Sequence, residues 1–273
     1  TGSFDASTGR LTRTGAATIA QYGVAFRSIT YTNTSENPST GTRTVSFIVS
    51  DGDANSNTQT RDIVITTTND APVEAAIEGT PVAYIENDGP VTITSTIAIT
   101  DVDDSSIHSA VVQISDNFVT GEDLLTFVGQ NGIFGSFNTT NGTLTLTGSA
   151  TLAQYENALR SITYTNTSNH PSTSTRTVSF TVNDGSTNSN TQTRDISITA
   201  VNDAPSGANH TVTATEDIDF AFGANDFGFS DTDGNRLREV VIATTPANGT
   251  LFLDANNNGN IDNNETISST DVI

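Results

Sequence analysis

Residues 2–72 realign on residues 135–205 at a constant offset of 133, with about 50 of 71 positions identical and no gap. A chain that copies itself this closely is a series of like units, each burying the same side chains in the same way. Gly2-Ser3-Phe4 recurs as Gly135-Ser136-Phe137, Gln21-Tyr22 as Gln154-Tyr155, and Asn69-Asp70-Ala71-Pro72 as Asn202-Asp203-Ala204-Pro205. Each Asn-Asp-Ala-Pro marks a boundary, because Pro stops a strand ladder and Asn-Asp favours a turn. The spacing predicts the C-terminal part of one repeat over 1–70, a complete repeat over 71–203, and the N-terminal part of a diverged third over 204–273. In the third, Glu216-Asp217, Asp231-Thr232-Asp233 and Val240-Val241-Ile242 echo Glu86-Asn87, Asp101-Val102-Asp103 and Val111-Val112 at an offset of about 130.

Within a repeat the hydrophobic pattern has mostly period two. In Thr175–Val182, Val178, Phe180 and Val182 read as the core face of a half-buried strand, with Arg176, Ser179 and Thr181 off that face. Asn183-Asp184-Gly185 is a turn signal, and Thr193–Ile198 resumes the alternation as the returning arm of an antiparallel hairpin. Val64 stands where Ser197 does, which suits an outward position. The exception is 150–159, where Leu152, Tyr155 and Leu159 recur at three and four; this predicts one short helix, with its copy at about 16–26. Tyr22, Tyr31 and Phe47, with Tyr155, Tyr164 and Phe180, alternate with polar residues and are assigned to the core. The expected fold is all-β: serial antiparallel β-sandwiches, each with one short helix.

Composition excludes several functions. Thirty-one Asp plus Glu face ten basic residues, all Arg, for a formal charge of −21. Such a surface repels DNA, RNA and anionic lipid. The sequence has no Cys, Met or Trp, and no Lys occurs in it. That removes disulfides, thiolate chemistry, Schiff bases and Walker-type phosphate loops. No apolar run approaches the ~20 residues of a membrane span, and no basic-then-apolar leader opens the chain. The chain opens in mid-pattern, and an export signal is expected upstream of it.

Thr163-Tyr164-Thr165-Asn166-Thr167, Phe180-Thr181-Val182-Asn183-Asp184-Gly185 and Ala200-Val201-Asn202-Asp203-Ala204-Pro205 resemble the cadherin-like tandem repeats of giant bacterial surface proteins. They are closest to the subgroup that resembles the chondroitin-sulfate-proteoglycan repeat. The resemblance covers residues 1–205, whereas 204–273 resembles shorter tandem repeats of such proteins. It implies an extracellular, calcium-rigidified series of β-sandwiches serving as a stalk or adhesion element. It also implies that Glu86 reaches the second junction from the far end of its own strand. The Asp-Arg-Glu motif of animal cadherins is lacking.

Two groups of residues carry candidate cation chemistry. Asp254-Ala255-Asn256-Asn257-Asn258-Gly259-Asn260-Ile261-Asp262-Asn263-Asn264-Glu265 matches a twelve-residue calcium loop at positions 1, 3, 5, 6, 8, 9 and 12. Its ligands would be Asp254, Asn256, Asn258, Asp262 and Glu265, with the Asn260 carbonyl. Gly259 would allow the bend and Ile261 would pin the loop to a core. Thr250–Leu253 before it reads as a strand rather than an entering helix, and an Asn-rich turn is the bland alternative.

The second group lies at the junctions. Asn69-Asp70 goes with the acidic run Asp101-Val102-Asp103-Asp104, and Asn202-Asp203 with Asp231-Thr232-Asp233. Asn69 and Asp70 are expected to meet Asp101, Asp103 and Asp184, and Asn202 and Asp203 to meet Asp231 and Asp233. An Asp-x-Asp places two carboxylates on one side of an extended chain, and their repulsion favours a hard cation between them. A solvated acidic loop is the alternative for any one pair. Zinc and copper are disfavoured, because His108, His170 and His210 are scattered.

Catalysis is not expected. Glu36 becomes Asn169 in the next copy and Glu156 is Gly23 in the previous one, so no carboxylate pair survives repetition. Gly-x-Ser-x-Gly and His-Glu-x-x-His are absent from the sequence. The arginines present in both copies, Arg27, Arg43 and Arg61 with Arg160, Arg176 and Arg194, are assigned to salt bridges rather than to an acidic sugar. The reading is a calcium-stabilised structural or adhesive segment of a large extracellular protein. Its partners would be calcium and neighbouring repeats, with a glycan, a protein or a second copy as adhesion ligand. A carbohydrate-binding module and a self-assembling filament or sheath subunit are the alternatives.

Overall fold

The computed structural model describes residues 2–255, 261, 265–269 and 271. The chain divides into two compact units, Thr1–Asp70 and Ala71–Ile273.

In the first unit, β1 (Gly2–Asp5) pairs antiparallel with β2 (Arg10–Arg13). Helix α1 (Ile19–Arg27) follows, then the antiparallel pair β3 (Arg43–Phe47) and β4 (Gln59–Ile63). The helix starts at a capping box. The Thr18 hydroxyl accepts from the Gln21 N–H at 3.3 Å, and the Gln21 side-chain oxygen accepts from the Thr18 N–H at 2.9 Å. That cap sets the start at residue 19, a few residues beyond the periodicity's 16. None of the described residues of this unit is buried.

The second unit holds a complete β-sandwich. Its elements are β5 (Val73–Ala75), β6 (Val82–Ile85), β7 (Val91–Thr92), β8 (Ala98–Thr100), β9 (Ser106–Asp116), β10 (Asp123–Thr126), β11 (Phe134–Asn138), β12 (Thr143–Thr151), α2 (Leu152–Arg160), β13 (Thr163–Asn166), β14 (Arg176–Asn183) and β15 (Gln192–Thr199). One six-stranded sheet runs β11-β12-β9-β14-β15-β6. A three-stranded sheet, β10-β13-β7, and the pair β5-β8 complete it. All pairings are antiparallel except β15 with β6, which run parallel with Thr199 opposite Ile85. The fold class is thus all-β, with two short α-helices among the described residues.

The core is what alternation and the helical stripe select. Val178, Phe180 and Val182 from β14, Val112 and Ile114 from β9, Leu144 and Leu146 from β12, and Tyr155 and Leu159 from α2 are all buried. Each such side chain contributes about 1.5–3 kcal/mol by leaving water. Tyr155 sits on the helix as a plug, and its hydroxyl donates to the Gly148 carbonyl at 2.6 Å. Leu152, at the helix start, is only partly buried. Gly148 has φ +128°, and a Cβ there would lie 2.2 Å from the Gly132 oxygen, so the β12 bulge admits no larger residue.

Arg176 corrects the sequence reading. It shares the parity of Val178, Phe180 and Val182 and is wholly buried with them rather than off their face. A carboxylate makes this tolerable: the Arg176 Nε–H donates to Asp123 Oδ2 at 3.1 Å. Asp123 Oδ1 accepts from the Tyr164 hydroxyl at 2.6 Å and from the Asn166 side-chain amide at 2.8 Å. Burial and that carboxylate push the Tyr164 hydroxyl's pKa far above its usual value. In the second unit Arg160 pairs with Glu156 at 3.5 Å and Arg194 with Glu78 at 2.8 Å, both with Glu rather than a neighbouring Asp. Their copies Arg27 and Arg61, and Arg43, make no ion pair among the described residues.

Residues from 204 onward belong to the same compact unit but form no extended strand among those described. A 3-10 turn (Ala224–Phe227) and short bridges, Ser206 with Ser230 and Phe252 with Thr266, give them their shape.

Candidate cation sites at the two ends of the second unit

The β14–β15 turn and the end of β8 meet at one end of the sandwich. Val73 of β5 pairs with Thr100 of β8, so Asp101 leaves its strand beside the start of the unit. Asp101 Oδ1 accepts from the backbone N–H groups of Asp103 and Asp104, at 3.1 and 2.8 Å. This turn folds the segment back so that carboxylate oxygens of Asp101, Asp103 and Asp104 lie within 4.8 Å of one another. Asp101 Oδ2 is buried with no hydrogen-bond partner.

Asp184, itself buried, accepts from the Ser186 and Thr187 N–H groups at 2.6 and 2.7 Å. Partial burial, with the charges of Asp101, Asp103 and Asp184, pushes the Asp104 carboxyl above its ordinary range, against the opposing influence of His108. The structure therefore groups Asp101, Asp103 and Asp104, with Asp184 and His108 near enough to act electrostatically on Asp104 but not within the same 4.8 Å cluster. Asp104 belongs to the acidic run marked in the sequence, though not to the expected ligands. His108 gave no sequence signal, because its place beside Gly185 depends on strand pairing. Asn69 and Asp70 close the first unit.

The opposite end is organised by the parallel pair. Because β6 and β15 run the same way, Ile85 and Thr199 finish side by side, and the residues after both strands leave together. The Glu86 N–H donates to the Thr199 carbonyl at 2.9 Å, and Glu86 Oε2 accepts from the Val201 N–H at 2.7 Å. Glu86 is 4% exposed, and its Oε1 is buried with no partner. Two residues past Val201, the Asp203 N–H donates to Asp233 Oδ2 at 2.6 Å, and Asn235 donates to Asn202 Oδ1 at 2.7 Å. Asp231 Oδ1 accepts from the Asn235 N–H at 2.9 Å. Asp203 Oδ2 is also buried without a partner. His170 Nδ1 lies 3.3 Å from Asp233 Oδ1. The Asp203 N–H and His170 hold the Asp233 carboxyl below its usual pKa.

Thus Asn202, Asp203, Asp231 and Asp233 form one connected group, and Glu86 ties to it through Val201. Asn235 and His170 join it without having been selected from sequence. Orphaned buried carboxylate oxygens are rare, since each carries a desolvation cost that nothing offsets. A hard cation with oxygen ligands is the chemistry such atoms suit.

Of the twelve-residue loop, Asn256, Asn258, Asn260 and Asp262 lie outside the described residues. Its ends are held by a ladder, with the Leu253 N–H donating to the Glu265 carbonyl at 2.7 Å and the Ile267 N–H to the Leu251 carbonyl at 2.9 Å. Asp254 opens the loop from one arm of that ladder, while Glu265 is buried and its Oε1 accepts from the Ala255 N–H at 3.3 Å. Ile261 is 52% exposed, so it does not pin the loop to a core as expected.

No family model matches the chain. A stretch of 130 residues, 46% of the chain, is 28% identical to halomucin of Haloquadratum walsbyi, and spans 1% of that protein's length. Among the described residues no helix is long and apolar enough to cross a membrane.

Proposed function

We propose that the chain is a structural segment of a very large extracellular protein, in which calcium bound at the ends of a β-sandwich stiffens the run of repeats. The observation that carries this reading is the Glu86 carboxylate. One oxygen is pinned by the Val201 N–H, while the other is buried and orphaned beside the chain that leads into Asn202 and Asp203. Glu86, placed in this way by a strand end, and Asp203 each keep one buried, orphaned carboxylate oxygen that a cation would satisfy, although among the described residues the carboxylates close enough to share one ion are Asp101, Asp103 and Asp104. The Asp101, Asp103 and Asp104 group at the other end, with the Asp184 charge acting on it, repeats the theme.

The likeness to halomucin over a small share of a very long chain supports a segment within a long protein. The close internal repeat supports a serial array. Tyr155, Tyr164 and Phe180 are buried in the core, which favours a structural role over a sugar-stacking platform. The function is non-catalytic, and adhesion to a glycan, a protein or a second copy would be a property of the longer array.

Small-angle scattering of the chain in calcium and in EGTA tests the stiffening. The largest dimension should be longer, and its distribution narrower, in calcium. Identical profiles would refute calcium-dependent rigidity.

A further inference from the structure

The first unit repeats the back half of the second almost residue for residue, yet its apolar side chains are open. Tyr22, Phe26, Tyr31, Val45, Phe47 and Ile63 match Tyr155, Leu159, Tyr164, Val178, Phe180 and Ile196, all of which are fully buried, while none of the six is. In the second unit these positions are covered by residues 71–134. Strand β9 lies between β12 and β14, and β6 lies beside β15. In the first unit β2 pairs only with β1 and β3 only with β4 among the described residues, so each keeps a free edge.

Polar groups mark the same gap. Tyr31, Asn33 and Arg43 stand where Tyr164, Asn166 and Arg176 converge on Asp123. Arg176 bonds the Ser172 and Ser174 carbonyls as well as Asp123, whereas Arg43 keeps only the matching local bonds, to Ser39 Oγ at 3.0 Å and to the Gly41 carbonyl, and has no such carboxylate. A groove of about 530 Å³ runs past Tyr31, Asn33, Ile63 and Ile65. The matching place in the second unit is filled by Tyr84, whose ring meets Tyr164 edge-on at 5.2 Å and whose hydroxyl donates to the Asn166 carbonyl at 2.8 Å.

We propose that the first unit is an acceptor surface for a repeat front half of the 71–134 kind. This segment inserts a β9-like strand between β2 and β3 and lays a β6-like strand beside β4. It seats a tyrosine in the groove and sets one carboxylate beneath Tyr31, Asn33 and Arg43. The recognition is strand addition with a single buried acid as its register mark.

The test is the full chain with a second copy of residues 71–134 joined ahead of it, so that Phe134 of the copy leads into Gly2. Backbone amides of Val45, Phe47 and Ile63 should exchange about a hundredfold or more slowly than in the original chain, approaching those of Val178, Phe180 and Ile196. Asp123→Ala made in the added copy alone should return the first unit's amides toward fast exchange, while those of the second unit serve as the internal control. Equal exchange with and without the added copy would overturn the proposal. So would an Asp123→Ala copy that protects as well as the unaltered one. Protection in the original chain that rises with its concentration, together with a dimer in sedimentation, would assign the surface to a second copy and overturn it as well.

Discussion

Glu74 offers a test of the packing in which sign and size both follow from the structure. It lies on β5 with its side chain turned inward, 1% exposed, and its backbone is clamped by Asn190. The Glu74 N–H donates to Asn190 Oδ1 at 2.8 Å, and the Asn190 side-chain amide donates to the Glu74 carbonyl at 2.9 Å. Neither carboxylate oxygen has a hydrogen bond of normal geometry. Burial pushes its pKa from an ordinary 4.5 up to about 7, with nearby Ser189 and the Gln192 backbone pulling weakly the other way. The Ser189 hydroxyl is already committed to the Asn190 carbonyl at 2.7 Å.

A folded acid with a raised pKa binds its proton more tightly than the unfolded chain does. Its contribution to stability is therefore present below about pH 4.5 and is lost as the pH rises to about 7. A rise from 4.5 to about 7 corresponds to about 3 kcal/mol above pH 7. Glu74→Gln keeps the shape and removes the charge. In urea unfolding with EGTA present, the variant should lie near parity with the wild type at pH 5 and exceed it by about 2 to 3 kcal/mol at pH 8, a midpoint gain on the order of 1 M. Other carboxylates titrate in both proteins and cancel. A gap that is the same at both pH values, or a wild type that is the more stable at pH 8, would refute the reasoning.

The helix plug and the buried ion pair give two more tests. Tyr155→Ala should cost about 3–5 kcal/mol of the second unit's stability, and Tyr155→Phe, which loses only the bond to the Gly148 carbonyl, about 1 kcal/mol; calorimetric melting separates them. Asp123→Asn should cost about 3–5 kcal/mol by leaving Arg176 charged and buried without its counter-ion, and replacing both partners with apolar residues should recover much of that loss.

Local pattern made the strands and helix of the second unit legible. Alternation over 178–182 and the three-four spacing of Leu152, Tyr155 and Leu159 are local consequences of burial, and they mark β14 and α2 correctly. What local pattern cannot carry is pairing. The parallel register of β15 with β6 joins residues more than a hundred apart, and only that register explains why Glu86 sits beside Val201. Arg176 was misplaced because its charge argued outward while its parity argued inward. Parity prevailed because Asp123, 53 residues away, supplies the counter-ion. Glu74 escaped notice for a related reason: an acid in a three-residue strand between turns reads as surface. The candidate sites were legible as Asp-x-Asp and Asn-Asp motifs and the acidic run through Asp104, whereas the places of His108, Asn235 and His170 beside them enter only through the fold.

The central claim is that calcium occupies the carboxylate groups at the ends of the second unit. Calorimetric calcium titration of the full chain, beside Glu86→Gln and Asp101→Asn, measures this most directly. Saturable binding should occur at millimolar calcium or below. Glu86→Gln should remove or weaken one class of site and Asp101→Asn another, with the melting of each calcium-free variant little changed. A wild-type chain that takes up no calcium at 10 mM, or two variants that bind as the wild type does, would contradict the account.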